Sequence, residues 1–265
     1  MTQDLDKQNP LPSSAAEARY WQARLRLWSD QALRFVYPHL CISCKAPTET
    51  GGALCSDCWA QVHFLVGNIC DCCGAPVADG GAELVYCDQC ISYPPPWSRG
   101  RAVALYQGPM RRLLLGFKHS DRLDLAKPSS QWMAQCAAPL VHTDMIVAPV
   151  PLHWQRLWNR RYNQAAELSR PLAAKLGLLH VPTLLRRKDK TAPQKDMTRQ
   201  ERLTNLQGAI EVTPQAKPMV SSRSVLLVDD VLTTGATLSA CALACLEAGA
   251  KDVRTIVLAR VARVP

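Results

Sequence analysis

The stretch at residues 225–237, VLLVDDVLTTGAT, constrains the fold of this chain more than any other. Its first four residues are apolar and predict a buried strand that ends at the acidic pair Asp229 and Asp230. A hydroxyl-rich turn follows, and a helical pattern begins at Thr237. Because N–H groups at a helix start attract anions, we expect an anion site in the turn, with the carboxylates beside it to hold a polyol or its magnesium ion. The alternative is a strand with a solvated acidic end and a threonine N-cap.

Cysteine spacing is the second strong constraint. Nine of the 12 cysteines fall between residues 41 and 90, and the polar N-terminus has no apolar segment typical of a secretory signal. This pattern favours metal binding in a reducing compartment, the cytoplasm, over a disulfide scaffold. The cysteines form four Cys-x-x-Cys pairs, which are Cys41 and Cys44, Cys55 and Cys58, Cys70 and Cys73, and Cys87 and Cys90.

Two such pairs complete a tetrahedral site of four thiolates, for which zinc is the default ion. The order of the pairs predicts two successive zinc ribbons, although interleaved pairing or an iron–sulfur cluster would use the same ligands. The x-x spacing selects Cys73 rather than its neighbour Cys72. Since no position is left for water, we expect both zinc ions to be structural and to supply most of the folding energy of this module.

The chain divides into three parts by composition. Residues 1–37 comprise a polar tail, expected to be disordered over 1–15, and a basic amphipathic helix over 16–36. Such a helix can lie on a membrane or on nucleic acid, but we favour packing on the next part, the double zinc-ribbon module at 38–97. That module ends in a stiff proline-rich linker, and residues 98–265 form the third part.

The third part alternates between strand and helix patterns. Strands are predicted at 101–106, 145–151, 209–212, 225–228 and 253–259, and helices at 109–118, 123–140, 165–176 and 237–248, the second of them broken near Pro128. This alternation predicts an α/β fold, a mostly parallel sheet with helices on both faces. Ligands of such sheets bind at the carboxyl ends of the strands, where the acidic pair and the turn would lie.

Two basic segments are candidate partners for a diphosphate. One is the loop that follows the strand at 145–151, and the other is the long, weakly periodic segment 186–207, which favours a lid. The alternatives are a solvated basic loop for the first and a mobile or partly helical surface segment for the second. The candidate residues in the two segments are His153, Arg156, Arg160, Lys195 and Arg202.

The charge and hydropathy of the whole chain narrow the partners. A net charge of +9 fits anionic molecules such as phosphates, nucleotides or nucleic acid, although a solvated basic surface is the alternative. No apolar run approaches the roughly 18 residues of a membrane span, so none is predicted.

From about Tyr37 onward the chain resembles the ComF family, also called GntX-like. The motifs that carry the resemblance are the paired Cys-x-x-Cys module, Gly116-Phe117-Lys118, Pro149-Val150-Pro151-Leu152-His153, Arg160-Arg161-Tyr162-Asn163-Gln164, Thr191-x-x-Gln194 with Arg202-x-x-Asn205, and the stretch 225–237. This last stretch also matches the signature with which type I phosphoribosyltransferases bind phosphoribosyl pyrophosphate (PRPP). The chain departs from the family pattern at Arg161, where glycine is more usual, and at His119-Ser120-Asp121, where Tyr-Arg-Gly is usual.

The resemblance implies a type I phosphoribosyltransferase-like domain that binds PRPP with Mg²⁺. It implies that Asp229 and Asp230, the catalytic candidates, hold the ribose 2- and 3-hydroxyls, while Thr233, Thr234, Gly235, Ala236 and Thr237 take the 5-phosphate. Lys118 joins the basic candidates for the diphosphate. The resemblance also implies a link to competence and to DNA uptake or utilisation.

Two functions from different classes fit these expectations. One is transfer of phosphoribose to an acceptor for which the sequence gives no candidate site. The other is a non-catalytic adaptor that senses PRPP or a nucleotide and binds single-stranded DNA or a competence protein.

Overall fold

The computed structural model describes residues 21, 37–78, 84–119, 122–152, 162–187 and 208–261. Outside the described residues lie the predicted tail at 1–15, the helix at 16–36 apart from helical Trp21, and the arginine loop at 153–161. The lid predicted at 186–207 also lies outside them, apart from its first two residues.

A five-stranded parallel sheet forms the centre of the molecule in the order β1-β7-β6-β2-β3. Its strands are β1 (Arg99–Leu105), β2 (Ile146–Pro149), β3 (Leu179–His180), β6 (Ser224–Leu232) and β7 (Asp252–Arg260). The central strand β6 is fully buried over its first five residues, as its apolar run predicts. The predicted α/β fold with a parallel sheet is confirmed.

The helices are α1 (Ser56–Ala60), α2 (Asp88–Ser92), α3 (Gly108–His119), α4 (Ala126–Ala137), α5 (Gln164–Leu176), α6 (Lys217–Val220) and α7 (Ala236–Glu247). One face of the sheet packs on α3, α4 and α5, with Leu226 and Val228 of β6 in that core. The other face packs on α7 and on cysteine residues of the ribbon module, with Val225 and Leu227 in that core.

Three details differ from the predicted elements. Strand β6 runs on to Leu232 instead of ending at residue 228, because its ladder with β7 continues through Asp229 and Val231. The helix predicted over 123–140 divides into a 3-10 turn (Leu123–Leu125), α4 and a second 3-10 turn (Ala138–Leu140), and Pro128 lies in the first turn of α4, where a missing N–H is tolerated. The strand predicted at 209–212 forms as β5 (Ile210–Val212), but it pairs antiparallel with β4 (Leu185–Arg187) outside the main sheet.

The two ribbons are built alike and joined to the sheet. Here the first ribbon means residues 40–60 and the second ribbon residues 69–92. The segment between them pairs antiparallel with the outer edge of β1 at Phe64 and Ala104, and the Leu65 N–H donates to Val103 O at 2.9 Å. This pairing covers an edge that would otherwise expose unpaired backbone groups.

No helix in the described ranges is both long and apolar enough to span a bilayer.

Candidate functional site

Four thiols converge in each ribbon. The groups are Cys41, Cys44, Cys55 and Cys58 in the first, and Cys70, Cys73, Cys87 and Cys90 in the second, with all four sulfurs of a group within 4.8 Å of one another. The pairing is thus successive, as predicted, and Cys72 belongs to neither group.

The sulfur spacing fits zinc. Cys44 and Cys55 Sγ atoms are 3.6 Å apart, as are those of Cys73 and Cys87. A tetrahedral ion with Zn–S bonds of about 2.3 Å needs neighbouring sulfurs about 3.8 Å apart. These are two zinc-binding sites of four cysteines each, and their closed ligand sets are typical of structural zinc.

The second candidate site lies at the carboxyl end of β6. Alternate side chains of a strand point to opposite faces of the sheet, so the continuation of β6 separates the two carboxylates. Asp229 faces the side covered by α7, where Cys241 and Arg187 are close enough to interact electrostatically. Asp230 faces α3, and its Oδ2 lies 2.8 Å from Lys118 Nζ. Both carboxylates are partly buried.

The turn after β6 closes around a small recess of about 70 Å³. Asp229 lines this recess together with Val231, Leu232, Thr233, Thr234, Gly235, Ala236, Thr237 and Leu238. Helix α7 begins there without a side-chain N-cap, although Ala236 N–H is 3.4 Å from Thr234 Oγ1. The first N–H groups of a helix need partners from outside it, so the recess joins a carboxyl group to a set of anion-seeking donors.

Gly235 is required by the shape of this turn. Its φ of 81° lies in the left-handed region, and a Cβ atom there would stand 3.3 Å from the ring of Trp97. Glycine is the residue that adopts this φ without strain, and it also allows the close approach of the linker to the turn.

Asp229 has a raised pKa. Burial, followed by the charge of neighbouring Asp230, raises the pKa of Asp229 to about 7, against the opposing effects of the Asp230 N–H, Lys118 and Arg187. The Asp230 N–H donates to Asp229 Oδ1 at 2.9 Å. A carboxyl group with a pKa near neutral pH loses its proton more readily when a cation or hydroxyl donors bind beside it. The charge of Asp229 would therefore respond to a ligand in the recess.

The end of β2 lies beside this site. Val150 N–H donates to Val228 O at 2.9 Å, and the Asn163 amide donates to Val150 O at 3.0 Å. Asn163 also caps α5 by accepting from Ala165 N–H at 3.0 Å, and the Tyr162 hydroxyl donates to Phe117 O. Two motif residues of the basic loop thus anchor the loop's end to the sheet and to α3.

The predicted site residues are therefore only partly brought together. Asp229 and the residues from Thr233 to Thr237 surround one recess, while Lys118 contacts Asp230 on the opposite face. Five candidates for the diphosphate, namely His153, Arg156, Arg160, Lys195 and Arg202, lie outside the described residues.

Sequence reasoning missed three neighbours of the site. Arg187 was treated as part of a lid but ends β4 near Asp229. Trp97, at the end of the proline-rich linker, contacts the turn. Arg260 ends β7 and pairs in register with Leu232. The position of Arg260 directly after the strand predicted at 253–259 is the signal in the sequence that could have marked it.

Comparisons with known proteins agree with this arrangement. A double zinc ribbon domain matches residues 32–91, and a phosphoribosyl transferase domain matches residues 163–263. Competence protein F of Haemophilus influenzae is 27% identical over 230 residues, which cover 83% of this chain and 96% of that protein. DNA utilization protein YhgH of Salmonella typhimurium is 34% identical over 182 residues, which cover 66% of this chain and 77% of that protein.

One solved structure has a weaker likeness. Adenine phosphoribosyltransferase from Thermoanaerobacter pseudethanolicus aligns over 56% of this chain and 86% of its own, with 19% identity and a TM-score of 0.33. The relatives, by contrast, share most of their length with this chain. The chain belongs to the ComF family of competence and DNA utilization proteins, in which a double zinc ribbon precedes a phosphoribosyltransferase domain.

Proposed function

We propose that this protein binds PRPP with Mg²⁺ at the carboxyl end of β6. The observation that carries the proposal is the recess of about 70 Å³ in which Asp229 faces the uncapped start of α7. The backbone N–H groups at a helix start suit the 5-phosphate, and a carboxylate beside them suits the ribose hydroxyls. The phosphoribosyl transferase domain match over 163–263 includes the whole recess.

The two carboxylates have different roles in this proposal. Asp229 lines the recess and accepts hydrogen bonds from the ribose hydroxyls, which favours its charged form. Asp230 faces Lys118, and this ion pair holds a cation at the same strand end, where negative charge builds up on a departing diphosphate. Mg²⁺, with few protein ligands and with phosphate oxygens, would neutralise part of that charge.

The same geometry supports transfer of phosphoribose from PRPP. In that reaction the C1–O bond to diphosphate breaks, its electron pair leaves with the diphosphate, and positive charge develops on the ribose ring. The acceptor nitrogen then forms a bond to C1 with its lone pair and gives up a proton. An Asp229 carboxylate that binds the ribose hydroxyls would lie close to that charge, so positioning and electrostatics would supply the catalysis. None of the 12 cysteines forms a disulfide, which supports a reducing compartment such as the cytoplasm.

Calorimetric titration with PRPP and Mg²⁺ tests the proposal. We expect saturable binding by the wild-type protein and at least tenfold weaker binding by Asp229→Asn, because the substitution removes a charged acceptor. Asp252→Asn is the matched control, since Asp252 pairs with Arg254 at 2.8 Å near the start of β7, away from the recess. The proposal fails if the wild-type protein does not bind PRPP.

Release of pyrophosphate separates transfer from sensing. A transferase given PRPP and the right base or amine releases one pyrophosphate for each ribosyl product. A sensor binds PRPP but releases no pyrophosphate with any base or amine that is tested.

A second candidate function is binding of single-stranded DNA by the first ribbon. Trp59, 51% exposed, forms an aromatic cluster with Phe64 and Trp132 at centroid distances of 4.6 and 6.5 Å. Arg112 reaches to the neighbouring Cys58 Sγ at 3.9 Å. An exposed ring beside a guanidinium group suits base stacking next to a phosphate.

This candidate has its own test. Binding of a single-stranded oligonucleotide in a gel shift should weaken as salt rises, and Trp59→Ala should weaken it further by about 1–3 kcal/mol, the contribution of one stacked base. Tyr37→Ala, which removes an exposed ring outside the cluster, is the control. Binding that is unaffected by salt and by Trp59→Ala excludes this surface.

A further inference from the structure

A larger cavity of about 310 Å³ lies between the second ribbon and the turn after β6. One wall comes from Cys73 and Cys90 of the second ribbon and from the linker at 93–97. The opposite wall is formed by the turn and by Leu243 of α7. A volume near 300 Å³ is at the lower end of the range for small-molecule sites.

The cavity and the recess share a wall. Leu232, Thr233, Thr234 and Gly235 line both of them, although Asp229 lines only the recess. A molecule in the larger cavity would thus lie against the other side of the turn that holds the proposed phosphate site. The two volumes are neighbours built on the same backbone.

The cavity contains one buried cation with unused hydrogen-bonding capacity. Arg260 lines it and is only 4% exposed. Its Nη1 donates to Cys73 O at 2.7 Å, but its buried Nε has no hydrogen-bond partner. A buried charged group normally has all its donors paired, because an unsatisfied donor costs about 1–3 kcal/mol.

The negative charge of the thiolates at the second zinc site explains why a cation is buried beside them. It does not explain why Nε of Arg260 has no hydrogen-bond partner. The guanidinium bonds the carbonyl oxygen of Cys73 and leaves Nε unpaired. A carboxylate in the cavity would lie against this guanidinium, which is part of the wall, and would accept a charge-assisted hydrogen bond from it. The remaining walls are mostly apolar and include the ring of Trp97, which suits a flat aromatic molecule.

We propose that this cavity binds a planar heteroaromatic acid beside the phosphoribosyl recess, with Arg260 holding its acidic group. This inference rests on the proposed function, since the neighbouring recess is the proposed PRPP site. It assigns a site to the acceptor, for which the sequence gives no candidate. The expected acceptor is a ring that stacks against the linker and carries a negative charge.

Titration with matched acids and neutral rings tests this assignment on the full-length, zinc-loaded protein. Nicotinate and orotate are the acidic probes, and nicotinamide and uracil are their uncharged counterparts. With PRPP and Mg²⁺ present, we expect at least one acid to bind saturably and at least tenfold more tightly than its neutral counterpart. The assignment is overturned if neither acid binds or if acids and neutral rings bind equally.

Two tryptophan substitutions on α7 localise the binding. Leu243→Trp fills the cavity and should weaken acid binding at least tenfold. Leu246→Trp places the same ring three residues further along, outside the cavity, and should leave acid binding unchanged; the two leucines are 37% and 38% exposed. Acid binding by Leu243→Trp equal to that of the wild type overturns the proposal.

Titrating PRPP alone keeps the two proposals apart. If PRPP does not bind, the proposed function fails, and titration of the acids into the PRPP-free protein still tests the cavity. If PRPP binds and neither acid does, the cavity assignment fails and the PRPP site stands.

Discussion

The two zinc ribbons are near copies in backbone and differ in what surrounds them. In the first, the Cys41 N–H donates to Ala46 O at 2.7 Å and Leu40 bridges to Pro47. In the second, 29 residues on, the Cys70 N–H donates to Ala75 O at 2.7 Å and Ile69 bridges to Pro76. Each then continues into a five-residue helix that carries the last cysteine.

The residue after the second cysteine marks the difference. Lys45 in the first ribbon and Gly74 in the second have φ values of 69° and 68°. The lysine is exposed, whereas a Cβ at Gly74 would lie 2.7 Å from Ala102 N of β1. The first ribbon can therefore keep a side chain where the second must let a strand approach its backbone.

The two ribbons also differ in their ion pairs with β1. Asp71 follows the first zinc ligand of the second ribbon and accepts from Arg101 at 2.6 Å and Arg99 at 3.1 Å, both on β1. The equivalent residue of the first ribbon is apolar Ile42. Through Ile42 the first ribbon packs on the core that the helices α3 to α5 form with the sheet, whereas the second ribbon contributes its zinc-ligating cysteines to the core on the other face.

The largest expected effect separates the two zinc sites. Cys73→Ser should remove the second zinc and unfold the sheet, because Cys70 and Cys73 belong to the core that covers β1 and β6. Cys44→Ser changes an exposed ligand and should release the first zinc while the sheet persists. Zinc content by mass spectrometry, with hydrogen exchange of β7 amides, gives both readouts.

Chelator titration of the wild-type protein checks this order without substitutions. The first zinc should leave before β7 amides lose protection, and loss of the second should coincide with loss of protection. If the sheet unfolds with the first zinc, or survives without either, the two ribbons are not different in the way proposed.

The next effect concerns the ion pairs at Asp71. Hydrogen bonds from Arg101, the Val85 N–H and Arg99 outweigh burial and hold the pKa of Asp71 below its usual value. Asp71→Asn would leave two half-buried guanidinium groups without their carboxylate and should lower the free energy of unfolding by about 3 kcal/mol, measured by urea denaturation.

A surface ion pair of the same length provides the control. Arg122 and Asp124 are also 2.6 Å apart, but the Asp124 side chain is 55% exposed. Asp124→Asn should cost at most about 1 kcal/mol. Equal losses in the two variants would mean that burial against β1 adds nothing to the Asp71 contacts.

Substitution at the left-handed position tests the backbone contact. Gly74→Ala adds a methyl group against Ala102 N and should cost about 2–3 kcal/mol. Lys45→Ala occupies the same φ at an exposed position and should change stability by less than about 0.5 kcal/mol. Thermal denaturation of the pair, zinc-saturated, measures the difference; similar values would contradict close contact between the second ribbon and β1.

The parts of this fold that sequence predicts well are those with local causes. Each Cys-x-x-Cys pair shapes its own turn, so the eight ligands follow from spacing, whereas the choice of successive over interleaved pairing is shown by the converging sulfurs. The end of β6 is different, because the apolar run stops at Val228 while the ladder continues along β7. Because the strand continues past residue 228, Asp229 and Asp230 lie on opposite faces of the sheet. The sequence pattern, in which the strand ends at residue 228, predicted one site for both carboxylates.

The remaining features depend on distant partners. The strand pattern at 210–212 was correct, but pattern does not choose a partner, and β5 pairs with β4 instead of the main sheet. Likewise, Trp97 and Gly235 meet because the linker packs on the turn. No sequence pattern near either residue predicts that contact. The small recess is contiguous in sequence and was predictable; the larger cavity is not.

The smallest effect uses Asp229 as an internal reporter of the sheet. Because burial raises its pKa to about 7, the folded protein holds a proton that the unfolded chain has released, and stability should fall as pH rises from 6 to 8. The expected fall is about 1 kcal/mol, measured by urea denaturation with zinc present, and Asp229→Asn should abolish it. If Cys44→Ser leaves the site intact, it should keep this pH dependence, since the first ribbon supplies none of the groups that shift the pKa of Asp229. Loss of the dependence in Cys44→Ser would mean that the first ribbon supports the strand end after all, and that the two ribbons are less different than their surroundings indicate.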